Sequence, residues 1–593
     1  MRFVWAVVAF VLATLMIGAG IAQRTVMQGP TSQTQAISVE DSAPYVLVDG
    51  AVLSSQAGAQ TFRATADGTI FAAYGRTDDL KAWLARTDYA EVSMDGTEVT
   101  TAHVNADEPV IGEDGAPVPL SPLESDLWLD QFQQDDVLIA SVSLPADMSL
   151  LVATDGVEDA PQTMSVTWPI TQTTPWAGPL ILGGAILMAV GLVLYVLAVR
   201  HVRRSRGPRR RGLPMPVTEP IAVAGGDGAD KGVISASPSR RQLTPRNRKM
   251  VILPVVAVVG LLASGCSADA WPQLPAAESP SPTATVVVPE GQDAPPAVTE
   301  QQAARIIGKI AEQVASADEA NDADLAATRL DGPELAARTT NYTLRSQIPE
   351  YAAPTAIPDS DIKLLLPEAY AGWPRSFFAV VADATTGTDK VMAVTQADPW
   401  SNYKLSSIAD LVTEAARNVA PAYIGAQQVQ PDSPFLMIAP QELAAAYADV
   451  IDNGDASQYA GLFADDSFRA QVIANRDSQK QTFDQTGAST GTISFDASAG
   501  TQPPLSLATL DSGAIVAVTV NETETVAPTT TDAVIKVDDN AVVKTLTGQT
   551  QSASGFTTTY SDQLFFFVPA QSSSERIEFL GYSSNILEAK VKQ

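Results

Sequence analysis

The chain has 593 residues, 67 acids against 37 Lys and Arg, a net charge of −30, one cysteine and two histidines. That length exceeds one hydrophobic core, the acidic balance excludes docking on a phosphate backbone, and a single cysteine excludes an internal disulfide framework. His201 lies in a basic stretch and nothing from residue 267 onward is histidine, so the C-terminal half can build no Ser–His or Cys–His pair and no His-ligated metal centre.

Residues 1–23 hold an apolar run, 4–22, after Arg2. It reads either as a retained signal anchor or as a cleavable signal peptide, with Gly20-Ile21-Ala22 offering small residues to a peptidase. Its length, close to the roughly 20 residues that span a bilayer, favours the anchor. Residues 24–172 follow as an extracytoplasmic β-rich domain. Runs rich in Val, Thr and aromatics are split by Asp49-Gly50, Asp67-Gly68, Asp95-Gly96, Asp114-Gly115 and Asp155-Gly156. Such pairs predict hairpins, hence an antiparallel β-sandwich. Leu80, Trp83 and Leu84 share a helical face and predict one short helix over 78–86.

Residues 176–199 are uncharged and apolar, with Trp176 at one edge and Arg200 at the other, as a transmembrane helix requires. Residues 200–249 carry 13 Lys and Arg against three acids. Short basic loops stay cytoplasmic, which puts 24–172 and 266–593 outside in a multi-pass plasma-membrane topology. The loop's Gly and Pro content predicts disorder.

Residues 250–265 are a short apolar run after Arg246, Arg248 and Lys249, ending Leu261-Leu262-Ala263-Ser264-Gly265-Cys266. Two readings stand. Either the run is a third transmembrane helix, or it is an internal lipoprotein signal with Cys266 as the lipidation candidate. The order of charged region, apolar region, small residues and Cys resembles a bacterial lipobox. Residues 266–300, rich in Pro, Ser and Ala, predict an extended tether.

The rest divides into two stretches, 301–430 and 431–593. The first opens with a helix over 300–317, its stripe Ala303, Ile306, Ile307, Ile310 and Val314, and a second over 333–339. The other opens with helices over 440–453, 456–464 and 467–475. In both, a run of strands follows, which predicts an α+β fold with helices on one face of an antiparallel sheet. This order, with Leu443 to Ile451 and Tyr459 to Phe463 as opening helices, resembles tandem NTF2-like (cystatin-like) units. The layout also resembles uncharacterised envelope membrane proteins of high-GC Gram-positive bacteria, through residues 1–5, 18–25 and Gly372-Trp373-Pro374-Arg375. That resemblance implies architecture and no activity.

No catalytic residue and no metal or cofactor site can be named. The adjacent carboxylates Asp465 and Asp466, Asp359 and Asp361, and Asp135 and Asp136 fit turn and cap roles. Trp373, Arg375 and Trp400 are the candidate ligand-binding residues, two aromatics beside rigid turns and a guanidinium fork suited to a carboxylate or phosphate. The expected function is that of a non-enzymatic, membrane-anchored envelope protein, a scaffold or accessory module binding an extracytoplasmic protein or cell-wall partner and no nucleic acid. The alternatives are a carboxylate-based wall-glycan hydrolase or transferase and a transmembrane sensor.

Overall fold

A computed structural model describes residues 2–26, 30–39, 41–56, 58–96, 98–112, 118–170, 175–205, 296–412 and 418–593. The expectations for residues 206–295, including the third apolar run, Cys266 and the tether, lie outside the described residues. The described chain divides into a helical unit and a larger unit that takes in both 32–169 and the C-terminal region.

The helical unit is an antiparallel pair, Arg2–Thr25 and Ala177–Ser205, each long and apolar enough to cross a membrane. Small residues recur every seventh position on both helices: Ala6, Ala13 and Gly20 on one, Ala177, Gly184, Gly191 and Ala198 on the other. These positions, with Ala9, are the buried ones among the described residues of the pair, while Val4, Leu15, Leu182, Leu192 and Val193 face outward. A Cβ on Gly184 would stand 2.6 Å from Ile17 Cγ1 and 3.0 Å from the Ala13 carbonyl oxygen, so only glycine fits there. A seam of small residues under an apolar exterior is how helices associate in lipid.

The first region of the larger unit contains β1 (Ser32–Ser38), β2 (Tyr45–Val48), α1 (Gly50–Leu53), β3 (Gln60–Arg76), α2 (Thr77–Leu84), β4 (Tyr89–Asp95), β5 (Glu98–Val104), β6 (Asp130–Val142), β7 (Met148–Ala153) and β8 (Thr163–Pro169). These strands form one eight-stranded sheet rather than the two of a sandwich. The 17-residue β3 is the reason. Residues 61–65 of it pair with β8 and 71–76 with β7, while β6 lines the other edge. The sheet curls around a core that includes Phe62, Ile70, Leu138, Leu150 and Trp168. The expected hairpin at Asp67-Gly68 is instead an irregularity within β3, where the register shifts between Thr65 and Thr69. Asp49 caps α1, its carboxylate accepting from the Ala51 amide at 2.7 Å. Asp95-Gly96 does join a hairpin, β4 to β5.

The C-terminal region begins with α3 (Glu300–Ala320), α4 (Ala323–Ala327), α5 (Gly332–Gln347), β9 (Ile362–Pro367), β10 (Arg375–Val381), β11 (Lys390–Gln396) and β12 (Lys404–Leu411). It continues with α6 (Pro440–Asn453), α7 (Ser467–Thr486), β13 (Gly491–Ala499), β14 (Leu505–Ala508), β15 (Ala514–Pro528), β16 (Ile535–Lys536), α8 (Ala541–Thr547), β17 (Gln551–Ser552), β18 (Phe556–Val568) and β19 (Glu578–Val591). Helices precede strands in each half, as expected. The helix expected over 456–464 is replaced by two short 3₁₀ turns, Gly454–Ala456 and Ala460–Leu462.

The two halves do not carry free-standing sheets. Their strands share one nine-stranded sheet, joined where β12 meets β19 through Asp410 opposite Tyr582 and Leu411 opposite Gly581. A side chain at 581 would place its Cβ 2.4 Å from the Asp410 carbonyl oxygen, so this joint requires glycine. The strands alternate between cores. Phe377, Ala379, Met392 and Val394 pack with α3 and α5; Phe378, Val391, Ile515, Phe565 and Phe567 pack together between the halves; Val516, Val518, Leu564 and Phe566 pack with α6 and α7. The result is four layers, helix–sheet–sheet–helix. Strands covered on both faces lose polar alternation, and all seven residues of β10 are buried.

Candidate functional site

Two places gather polar chemistry inside the larger unit. The first is the seam between the 32–169 region and the C-terminal region. Asp79 sits on α2, and Arg375 opens β10. The guanidinium grips the carboxylate with both ends, Nη1 to Oδ2 at 2.7 Å and Nη2 to Oδ1 at 2.6 Å. Its remaining donors go to the carbonyls of Ala371 and Gly372, and it lies 4.1 Å from the Trp373 ring centre. Arg375 is 1% exposed. Trp400 donates its indole N–H to the Trp83 carbonyl at 2.9 Å and carries the Arg86 guanidinium 3.5 Å from its ring centre. Both tryptophans pack on the cluster of Tyr45, Leu80, Trp83 and Trp128. The three residues singled out from sequence therefore meet at one place, where Arg375's fork holds a carboxylate of its own chain.

A second knot lies nearby. Asp126, 1% exposed, accepts from Lys309 Nζ at 3.1 Å, from Arg329, and from the Tyr403 amide at 3.1 Å. Its carbonyl accepts from Gln302, a residue that also closes the capping box of α3 with Thr299. Arg305 donates to the Trp128 carbonyl at 2.5 Å, and Arg76 to that of Pro296. Burial holds the Arg76 and Arg305 guanidiniums below their usual pKa. Buried ion pairs of this kind stabilise only when their lone pairs and protons find partners; here helix-capping groups and backbone carbonyls supply most of them, while Arg76 Nη1 has only Asp79, at 3.6 Å.

The second place is a cavity of about 250 Å³ beneath α7. Asp466 caps this helix, accepting from the Arg469 amide at 2.7 Å and from the Tyr447 hydroxyl at 2.9 Å. Of the 20 residues in α7 only Phe468 and Val472 are buried. Its inward face, with Gln471, Asn475 and Arg476, looks onto Phe495 of β13, Glu522 and Glu524 of β15, Tyr560 of β18 and Tyr582 of β19. Arg476 bridges Asp452 at 2.7 Å and Glu522 at 3.1 Å. Behind Glu522 lies Asp562, fully buried, with neither carboxyl oxygen in a normal hydrogen bond; Glu522 and Ser584 are its polar neighbours. Burial, then the charge of Glu522, pushes the Asp562 carboxyl up to about 8. Burial also raises Glu522 and Glu524.

Sequence reasoning missed these acids, although a signal exists. On β15 the inward residues run Val516, Val518, Val520, then Glu522 and Glu524; on β18 Tyr560 and Asp562 precede Leu564 and Phe566. The core face turns acidic at diagonally adjacent positions of neighbouring strands, Asp562 opposite Val520 and Glu522 opposite Tyr560.

The family model described as "Domain of unknown function (DUF8094)" matches residues 294–591. An uncharacterized lipoprotein of Streptomyces avermitilis is 28% identical over 321 residues, 51% of this chain and 90% of that protein. No solved structure matches.

Proposed function

We propose, from the premise that the chain belongs to the DUF8094 family, a non-enzymatic envelope protein that holds a two-part binding body on the outer face of the plasma membrane. The observation that carries this reading is the seam. Asp79 with Arg375, and Asp126 with Lys309 and Arg329, join the 32–169 region to the family domain as one compact unit.

Topology follows from that union. The paired helices are antiparallel, with Arg2 at one end of the first and Arg200 and Arg203 at the matching end of the second. Basic ends stay cytoplasmic. If 32–169 and 296–593 share one body, the chain has to recross the membrane between 206 and 295. The apolar run 250–265 is the stretch of sequence suited to it, as a third helix or as a lipoprotein signal ending at Cys266. The lipoprotein name of the Streptomyces relative supports Cys266 as an acylation site. The helix-then-sheet order in each half supports descent from paired NTF2-like units fused edge to edge.

Binding is favoured over glycan hydrolysis by the contact between Glu522 and Asp562. Glycosidases hold their two carboxyls about 5 Å or more apart, with the scissile bond between them; Glu522 and Asp562 are immediate neighbours, and the full burial of Asp562 leaves no room for such a bond. The test is co-sedimentation of the full-length protein with purified cell wall while soluble fragments are monitored. Retention without release of fragments supports a binding module, and released glycan fragments overturn the non-enzymatic reading.

A further inference from the structure

We propose that the cavity beneath α7 binds a small organic cation, an alkylammonium head group, with Glu522, Glu524 and Asp562 as counter-charges and Phe468, Phe495 and Tyr560 as walls. This goes beyond the anchoring role above and stands or falls separately from it.

Charge is the first argument. The ionisable groups lining the cavity are Arg476 from α7, Glu522 and Glu524 from β15, Tyr560 from β18 and Tyr582 from β19; Asp452 of α6 stands behind Arg476, and Asp562 of β18 is buried behind Glu522. The one guanidinium is already shared between Asp452 and Glu522. Among the described residues Glu524 has no cationic partner, and Asp562 feels Arg476 only as a charge beyond salt-bridge distance. An anionic ligand would add to that repulsion, and a cation relieves it.

Asp562 is the second argument. A fully buried carboxyl with no donor of normal geometry on either oxygen is costly and rare in folded proteins. The two groups beside it, Glu522 and Ser584, both line the cavity, so a donor placed there meets Glu522 directly and acts on Asp562 from across that one side chain. An ammonium group supplies that donor together with the missing charge. Tyr560 and Tyr582 also line the cavity, and aromatic faces attract cations within about 6 Å of their centres, as Phe495 already does with the Arg476 guanidinium 5.7 Å from its ring centre. The volume suits a head group of a few heavy atoms. The thin packing of α7, held by Phe468 and Val472, lets the helix lift for entry.

Binding then shifts the carboxyls toward their ionised forms and releases protons to solvent. The experiment is calorimetric titration of the full-length protein in a non-ionic detergent with choline, ethanolamine and the neutral isostere of choline, 3,3-dimethyl-1-butanol. Runs in buffers of different ionisation enthalpy count the protons. The expected result is saturable binding of an ammonium compound, about 10-fold or more tighter than the isostere. It is accompanied by proton release and weakens as pH falls and the carboxyls protonate. Asp562→Asn and Glu524→Gln each weaken it by a similar factor. Asp562→Asn also raises Tm, which separates loss of binding from loss of fold. The proposal is overturned if neither ammonium compound binds, if the isostere or a neutral amino sugar derivative such as N-acetylglucosamine binds as well, or if both variants bind like the parent.

Discussion

Arg375 and Asp79 stand 296 positions apart in the chain and meet through two parallel hydrogen bonds of 2.6 and 2.7 Å. The pair is unequal. Asp79 has Arg76 as a further neighbour at 3.6 Å, whereas Arg375 also ties down the 371–372 backbone. Truncating either partner leaves a buried charge unmatched and costs about 3–5 kcal/mol. Arg375→Ala should therefore destabilise more than Asp79→Ala, and the double variant should lose less than the two together. Denaturant melts of the full-length protein measure the cycle. Strict additivity would mean that the pair does not couple the two regions.

Asp126 serves two cations and a backbone amide at once. Asp126→Asn keeps the shape and removes the charge, so its loss should be near the about 1.5–3 kcal/mol of hydrogen bonds to charged groups. Asp126→Ala, which strands Lys309, Arg329 and the Tyr403 amide, should cost more. Hydrogen exchange at the Tyr403 amide provides the local readout: it should quicken in the alanine variant, and an unchanged rate would contradict the placement of that bond.

Asp562 predicts a pH dependence with a definite sign. Its carboxyl is raised from the ordinary aspartate value to about 8, so the folded state holds a proton that the unfolded state gives up. The stability it contributes is fully present below the unfolded value near 4 and is lost as pH rises through about 8. Relative to the parent, Asp562→Asn should gain stability between these limits, by about 1–3 kcal/mol at the alkaline end. The measurement is the difference in Tm between the two proteins across that range. A constant difference would refute the raised value.

The apolar helix pair gives a steric prediction. Gly184→Val sets a side chain against Ile17 and the Ala13 carbonyl and should part the helices. Val193→Ala, on the outward face, should not. Disulfide trapping between cysteines placed at Ala9 and Gly191, where a Cβ at 191 stands 3.4 Å from that of Ala9, reads the separation. Equal trapping in both backgrounds would show that small residues do not set this contact.

Much of the helical structure could be read directly. The stripe from Ala303 to Val314 and the Pro440 start gave helices because period and capping agree. The sheets were less legible. Asp67-Gly68 has hairpin composition, yet β3 continues through it because β6 pairs along most of its length on both sides. Nothing local marks that pairing. The joining of two sheets through Gly581 depends on a backbone approach between residues 171 positions apart, and a lone glycine carries no such signal. Arg375 and Trp400 stood out for their chemistry, but their partners Asp79 and Trp83 lie in a different region, and complementarity across regions leaves no periodic trace. The acids beneath α7 could have been found, since they interrupt two apolar alternations one cross-strand pair apart.

The seam also makes the covalent link between the two regions partly redundant. Asp79, Asp126 and Trp83 supply one surface, and Arg375, Arg329 and Trp400 supply its complement. A polypeptide cut between residues 206 and 295 would yield complementary fragments, each carrying one side of a ready-made protein–protein interface. Cleavage there would convert an intramolecular association at very high local concentration into a heterodimer of two separate chains. The two regions would then part or remain together according to the strength of buried ion pairs, and a C-terminal fragment set free by the cut would keep a dedicated receptor in the remainder of its own precursor.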